Sequence, residues 1–444
     1  MPAPTPSRTA ALAALRSVRR GVLAGPALDH AAGRLDPRDR AWTQELLFGT
    51  LRMRGRLDHR LAACSSRPLD RIDPDILDVL RLGGYQLTEM GGVPPYAAVS
   101  QSVELARSAG GGRAAGFVNG VLQSLRRAGD ASTFPAFDDD PAGHLSTWGS
   151  HPRWLVERWL ARLGPEDAGR LVEVNNRTPP LYLRVLGDVD AGRAALDAAG
   201  VTLEEVPGAP RSFRLVAGGL AEALDVAPVI VQDPAAGWVA DFVHPPPGAR
   251  IVDIAAAPGG KAMALAFGES ARRPGVVVAA DLSEVRLSRL KANIARLGRA
   301  SPAGLGGVPV AALVADGVAP PFRAADVVLL DAPCTGTGTL RRHPDGRWRL
   351  GPGDVRTLAL LQERLLQAAS TLVRGGGLLV YATCSLEREE NEDRVASFLE
   401  KHPDFELDPP AGVPASMLDH GMLRLVPHVH GWDGAFAARL RRTG

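Results

Sequence analysis

Two short loops, Asp331-Ala332-Pro333-Cys334 and Thr383-Cys384-Ser385, carry the residues of this chain best suited to covalent chemistry. Each follows an apolar run, 326–330 and 377–381, that predicts a buried parallel strand. Ligands in an open α/β sheet gather beyond the carboxyl ends of its strands, so both thiols are expected in one reaction crevice. Two thiols beside a cofactor loop suggest nucleophilic catalysis. Taken alone, each would read as a buried apolar side chain, because free Cys is among the most buried residue types. Their neighbours decide otherwise.

Upstream, the strand-like run Arg250-Ile251-Val252-Asp253 leads through Ala255-Ala256-Ala257-Pro258-Gly259-Gly260-Lys261 into a helical stretch at 262–267. Strand, small-residue turn and helix form the nucleotide-binding βα unit of doubly wound folds. Small residues let the backbone approach a ligand, and free helix N–H groups can bond it. A second strand over 276–280 ends in Asp281, about 20 residues beyond the glycines, where an acid can bond ribose hydroxyls. A third, over 308–314, ends at Asp316, within expected reach of an adenine amino group. Helix N-capping is the structural alternative for both acids. A phosphate-binding P-loop is excluded, since Ala255 and Ala262 replace its Gly and Ser/Thr. The dinucleotide fingerprint is absent too, and S-adenosylmethionine, a ligand with ribose and adenine but no phosphate, fits the motif better. Lys261 is read as a cation that stabilises negative charge in the site, with a surface lysine at a helix start as the alternative.

These motifs resemble the RsmB/Sun-type RNA (cytosine-5) methyltransferases. The likeness rests on residues 256–261, 331–338 and 382–385, and continues through Arg341-Arg342-His343-Pro344-Asp345-Gly346-Arg347-Trp348 and His430-Gly431-Trp432-Asp433-Gly434. It spans roughly residues 230–444. One departure is Ala255, where the family loop often has a Cys that is neither of the catalytic pair. The resemblance implies that residues 255–261, Asp281, Asp316 and Asp331 bind S-adenosylmethionine or border its pocket. It also implies that Cys384 attacks C6 of cytosine, that Cys334 assists release, and that Asp331 bonds the ring edge of the protonated adduct. Geometry read from sequence does not distinguish the two thiols; that assignment rests on the resemblance. No metal site is expected, because Cys64, Cys334 and Cys384 are too few and too scattered.

The elements that position this site form a multidomain chain. Residues 1–128 predict an all-α domain, with helices at 40–52, 73–90, 99–108 and 114–127. Residues 80–87, 97–100 and 117–122 resemble the NusB-type helical RNA-binding domain, with Tyr85 and Phe117 read as packing residues. Arg16, Arg19, Arg20, Arg126 and Arg127 are candidate phosphate contacts. Residues 129–150, rich in Pro, Gly and Asp, predict a linker. A small α+β connecting subdomain is expected over 151–229, and an α/β Rossmann-like methyltransferase domain over 230–444. The segment around His343 and Asp345 is expected to border an RNA groove.

A formal charge of +2 is a weak signal for nucleic acid, so a local basic face must serve that role. The acid-free start, 1–22, has the composition of a transit peptide but reads better as a tail entering the first helix. No apolar run reaches transmembrane length, and three unpaired cysteines suit a reducing cytoplasm. The expected protein is a monomeric, cytoplasmic enzyme that methylates a cytosine at C5 in ribosomal RNA, most simply the 16S RNA of the small subunit. Two other readings stand beside it: an antitermination or assembly factor with an inert methyltransferase fold, and an enzyme acting on tRNA.

Overall fold

The computed structural model describes residues 3–129, 133–268, 272–300 and 308–444. Met1 and Pro2 of the Arg-rich start, and residues 130–132 of the expected linker, lie outside them. The chain forms two compact units, one of residues 1–177 with 340–351, the other of 178–339 with 352–444.

The first unit is helical. Three of its helices, Pro37–Arg52, Pro74–Thr88 and Pro141–Thr147, begin with an Asp-Pro step. Asp36, Asp73 and Asp140 each accept a bond from a backbone N–H of the first turn, and the proline occupies the position where no N–H is needed. Helix Pro6–Arg19 buries Ala11, Leu12, Ala14 and Leu15 in the core, as a tail entering the fold should. The two helices expected at 99–108 and 114–127 are one run, Pro95–Ala128, broken at Gly111 with φ +75°. Tyr85 is buried and its hydroxyl donates to Glu45 Oε1 at 2.5 Å, a packing role. Phe117 also packs on the core.

Residues 133–150 are more than the linker expected from their composition. His59 and Phe134 stack at 4.7 Å, and Phe134 meets Trp148 edge-on at 5.2 Å. These rings anchor a segment whose Pro, Gly and Asp content masked its aromatic contacts. Helix Arg153–Asn176 packs on Pro141–Thr147, so by contacts the helical unit extends to Arg177.

The 340–351 segment is also built into the helical unit. Arg347 is fully buried. Its Nη1 donates to the carbonyls of Arg52 (3.2 Å) and Ser150 (3.0 Å) and to Asn176 Oδ1 (2.9 Å). Its Nη2 donates to the Asn175 carbonyl at 3.1 Å, and the Trp348 indole donates to the Leu51 carbonyl at 2.6 Å. The guanidinium fork suits this task because its donors spread in a plane toward several carbonyls at once.

The second unit opens with β1 (Tyr182–Val185), β2 (Thr202–Glu205), β3 (Ser212–Ala217) and β4 (Val229–Val231) in an antiparallel sheet ordered β2-β3-β1-β4. Helices Val189–Ala198 and Leu220–Val226 complete a βαββαβ, ferredoxin-like module. The larger sheet holds β5 (Arg250–Asp253), β6 (Val276–Asp281), β7 (Val310–Val314), β8 (Ala325–Asp331) and β9 (Val373–Thr383), all parallel. Short β10 (Phe405–Leu407), β11 (Leu418–Asp419) and β12 (Met422–Leu425) join antiparallel β13 (Ala435–Arg442) at one side. The order β11-β12-β13-β9-β8-β5-β6-β7 reverses direction of winding between β5 and β8, the switch point at which a crevice opens. Along β8, Val327 and Leu329 enter one core while Val328 and Leu330 enter the other, so both faces are covered.

Arg347 gives a direct test of the helical unit. Each buried carbonyl left without a donor costs about 1–3 kcal/mol. Arg347→Met should therefore lower stability by at least about 2 kcal/mol, read as a reduced urea midpoint by circular dichroism. An unchanged midpoint would show that those carbonyls find other partners.

Candidate active site

β8 and β9 are neighbours in parallel register, with Leu330 opposite Tyr381 and Asp331 opposite Ala382. Their loops therefore leave the sheet together, and the Cys334 and Cys384 sulfurs stand 3.4 Å apart. The loops touch elsewhere too. Gly338 N donates to the Cys384 carbonyl at 3.0 Å, and Gly434 N donates to the Gly338 carbonyl at 2.7 Å. A Cβ on Gly338 would meet Gly434 Cα at 2.7 Å and Cys384 O at 2.8 Å, so this crossing requires glycine. The crossing also explains why the loop after Cys334 and the Asp433-Gly434 turn belong to one site.

The two sulfurs have different surroundings. The Cys334 thiol is pushed well above its ordinary value by its hydrogen bond with Cys384, by burial, and by the negative charges of Cys384 and Glu390. On the other side stands Lys261, whose Nζ lies 2.6 Å from Asp331 Oδ2. Burial alone would lower the Lys261 pKa, but Asp331, Cys384 and Asp253 together raise it, so the ammonium stays charged. The Lys261 side chain is 17% exposed, largely buried beside Asp331.

The small-residue turn lies directly beyond β5. Gly259 has φ +102°, and a Cβ there would come within 2.2 Å of Leu290 Cδ1, so no larger residue fits the start of helix Gly260–Ala266. Ala256 and Ala257 are buried, Ala255 and Gly260 partly so, while Pro258 is exposed. Asp281, 5% exposed, accepts from Ser283 N at 2.9 Å and from Ala257 N at 3.2 Å. It thus stabilises the following helix start and also ties β6 to the small-residue turn. Asp316 is exposed, its Oδ1 accepting from Val318 N at 2.9 Å in a turn beyond β7. The structure brings Lys261, Asp331, Cys334 and Cys384 together and leaves Asp316 at the outer end of the β5-β6-β7 row.

Several residues were missed in the sequence. Asp253 ends β5 fully buried, and neither carboxylate oxygen has a hydrogen-bond partner. Burial, with Asp331 and Asp281 nearby, holds its carboxyl well above the usual range, against the opposing pull of Lys261. Arg286 Nη2 donates to the Ala257 carbonyl at 2.6 Å, fastening the same turn. Leu282 and Val285 stand 73% and 81% exposed beside Asp281. An orphaned acid, an acid at a strand end and an exposed apolar pair fit a ligand that has an amino group, a ribose and a flat base. The acid ending β5 was legible as a signal, since both other acids were found by their position at strand ends.

Comparisons with known proteins agree with this geometry. Residues 240–441 match the family model described as 16S rRNA methyltransferase RsmB/F, and residues 5–127 match that of the NusB family. Residues 151–220 match the ferredoxin-like domain of RsmF/B-like methyltransferases. The chain is 35% identical to the probable ribosomal RNA small subunit methyltransferase B of Synechocystis, covering 98% of this chain and 99% of that one. It is also 35% identical to the ribosomal RNA small subunit methyltransferase B of Klebsiella pneumoniae, over 92% and 91% of the two chains. The crystal structure of PH0851 superposes on it with a TM-score of 0.79 at 26% identity, covering 100% of both chains.

Asp253 supplies the prediction from this site. Its folded-state pKa lies above the unfolded value of about 3.9, so the folded protein binds the proton more tightly. That stability is present below the unfolded pKa and is lost as pH rises through the folded one. Asp253→Asn carries no charge at any pH and escapes the loss. Its stability relative to the parent should therefore grow between about pH 4 and pH 8 in urea unfolding. A constant difference across that window would show that Asp253 titrates as an ordinary carboxylate.

Proposed function

Because the chain belongs to the RsmB/F family of 16S rRNA methyltransferases, we propose that it methylates C5 of a cytosine in small-subunit ribosomal RNA through a covalent adduct with Cys384. The observation that carries this reading is the approach of the two cysteine sulfurs to 3.4 Å at the carboxyl ends of adjacent strands. S-adenosylmethionine supplies an electrophilic methyl group. Residues 255–261 with Asp281 and Asp253 would hold it, and Asp316 would border its adenine end.

C5 of cytosine is too poor a nucleophile to take the methyl group unaided. Addition of the Cys384 thiolate to C6 splits this hard step into easier ones. The sulfur pair forms the C6–S bond and displaces the C5=C6 π pair to C5, which would direct it at the donor's methyl carbon while that carbon's bond to the donor sulfur is given up. A base then takes the C5 proton, and the C6–S bond breaks to return the thiolate. Asp331, fixed by Lys261, faces the ring edge and stabilises the protonated adduct. Cys334, within reach of the attacking sulfur, assists release. The Lys261 ammonium supplies the positive charge that favours a thiolate and an anionic intermediate in the same crevice.

RNA must be held by more than one flipped base. Arg16 and Arg19 are engaged with Asp75, Arg16 at 2.8 Å, so these two candidate phosphate contacts are already paired. Arg126 and Arg127 are exposed at the end of helix Pro95–Ala128 and remain the candidates, with Arg20. The active-site region and the helical NusB-like region then divide chemistry from RNA engagement. Among the described residues, no helix is long and apolar enough to cross a membrane.

Two outcomes test the proposal. Cys384→Ala should abolish methylation, whereas Cys334→Ala should form a covalent protein–RNA adduct visible as a slow band on a denaturing gel. Bisulfite sequencing of ribosomal RNA from a deletion strain should lose one 5-methylcytosine, and an adduct formed by Cys384→Ala would reverse the assignment. The double change Arg126→Glu with Arg127→Glu should weaken RNA binding and reduce the salt slope by about 1 for each lost phosphate contact. Donor affinity should not change; an unaltered salt slope in filter binding would remove these arginines from the interface.

A further inference from the structure

Each cysteine is followed directly by a hydroxyl residue, Thr335 after Cys334 and Ser385 after Cys384. Both hydroxyls meet on one carboxylate. Glu390 is fully buried, and its Oε1 accepts from Thr335 N and from Gln362 Nε2, each at 2.9 Å. Its Oε2 accepts from the hydroxyls of Thr335 and Ser385, whose oxygens lie 3.1 Å apart. Asn391 extends the tie, accepting from Thr383 Oγ1 at 2.5 Å and donating to the Ser385 carbonyl at 2.8 Å. The Tyr381 hydroxyl donates to the Glu390 carbonyl at 2.5 Å, which joins β9 to the same residue.

We propose that Glu390 is the positioning residue that sets the Cys334 loop against the Cys384 loop, so that its loss stalls release of the product more than addition to the base. The inference rests on the adduct reading given above.

Three features carry it. Four donors converge on the two oxygens, two N–H groups on one and two hydroxyls on the other, which is the pattern an acceptor-only carboxylate satisfies. Three of the four donors, Thr335 N and the hydroxyls of Thr335 and Ser385, belong to the residues that directly follow the two cysteines, and the fourth comes from Gln362. Backbone pairing of β8 with β9 ends with Asp331 opposite Ala382, before either cysteine, so the sheet alone does not set the sulfur separation. Beyond that point the Ala332 N–H to Ala382 carbonyl bond (2.8 Å), the Gly338 bond to Cys384 and the Glu390 clamp join the loops. Glu390 also contributes negative charge beside Cys334 and not beside Lys261, which distinguishes two otherwise similar thiols. A cluster of neutral donors around a buried charge is costly unless every lone pair is used, and here the oxygens are fully engaged.

The test uses the full chain, a small-subunit ribosomal RNA transcript and radiolabelled S-adenosylmethionine. Glu390→Ala should lower kcat about ten- to a hundredfold, as expected when reacting groups move by about 1 Å. KM for the donor should stay within about twofold, because the bonds of Glu390 go to Thr335, Ser385, Gln362 and Tyr381 and not to residues 255–261 or Asp281, which are proposed to hold the donor. A denaturing gel should show the slow protein–RNA band, formed through Cys384. Glu390→Gln keeps an acceptor for the two N–H groups, and hydroxyls can turn to accept from its amide, so it should recover most turnover and lose the band. A role in folding alone would depress donor binding and addition as well, with no adduct and no rescue. Normal turnover in Glu390→Ala, or equal loss in both variants without an adduct, would overturn the proposal. Should Glu390→Ala fail to fold by circular dichroism, Thr335→Val takes its place, since it removes one hydroxyl and keeps the backbone bond; absence of any adduct there would also overturn it. Cys334→Ala run in parallel separates the two failures, because no band in that control would sink the adduct reading itself.

Discussion

Parallel pairing of β8 with β9 is the constraint on which the site depends. Strand register is set by period-two burial, and a slip of one residue would turn every side chain to the opposite face. Here Val327 and Leu329 face one core while Val328 and Leu330 face the other, so a slip would cost both. With the register held, the two loops begin at the same level of the sheet and their sulfurs meet at 3.4 Å. The turn after β5 adds Lys261 from the adjacent strand, since β5 pairs with β8 on its other side. Three neighbouring strands thus deliver a cation, an acid and two thiols to one crevice.

Charges in that crevice are organised by burial. Asp331 and Lys261 form a close pair, Asp253 sits below them without a donor, and Glu390 is wrapped in neutral donors. Removing a charge from water costs several kcal/mol unless it is paired or fully bonded, and an unpaired carboxyl takes up a proton instead. The three acids therefore have different surroundings, two at the ends of adjacent strands β5 and β8 and one in the short helical turn Arg388–Glu390. Asp331 is paired with the Lys261 ammonium, whereas burial without a donor holds the Asp253 carboxyl well above the usual range. Glu390 is an internal clamp.

The helical unit contributes the same logic at longer range in sequence. The chain leaves the catalytic unit after Thr339, contributes 340–351 to the helical unit, and returns at Pro352. Arg347 and Trp348 bond carbonyls of Leu51, Arg52, Ser150 and Asn175, so the motif that follows the Cys334 loop is a structural element of the helical unit. Its Arg-rich composition had suggested a groove for RNA. The buried guanidinium shows that Arg347 itself acts on protein carbonyls, while His343 and Arg349 of the same segment are exposed.

Local signals in the chain were enough for helices such as Pro74–Thr88, the strands of the parallel sheet and the residues of the small-residue turn, because period, Asp-Pro starts and glycine spacing act between near neighbours. The two cysteine loops could be placed in one crevice for the same reason: each closes an apolar strand. Tertiary structure decided what depends on distant partners. It joined the two hydroxyls on Glu390, orphaned Asp253, paired Arg16 and Arg19 with Asp75, and packed the 133–150 segment through Phe134 and Trp148. Composition could not reveal these, because the energy of a buried polar or aromatic group depends on which donors, charges and rings surround it in space. Spacing along the chain specifies the elements and their order, whereas the ionisation state and role of each side chain follow from neighbours that only folding brings together.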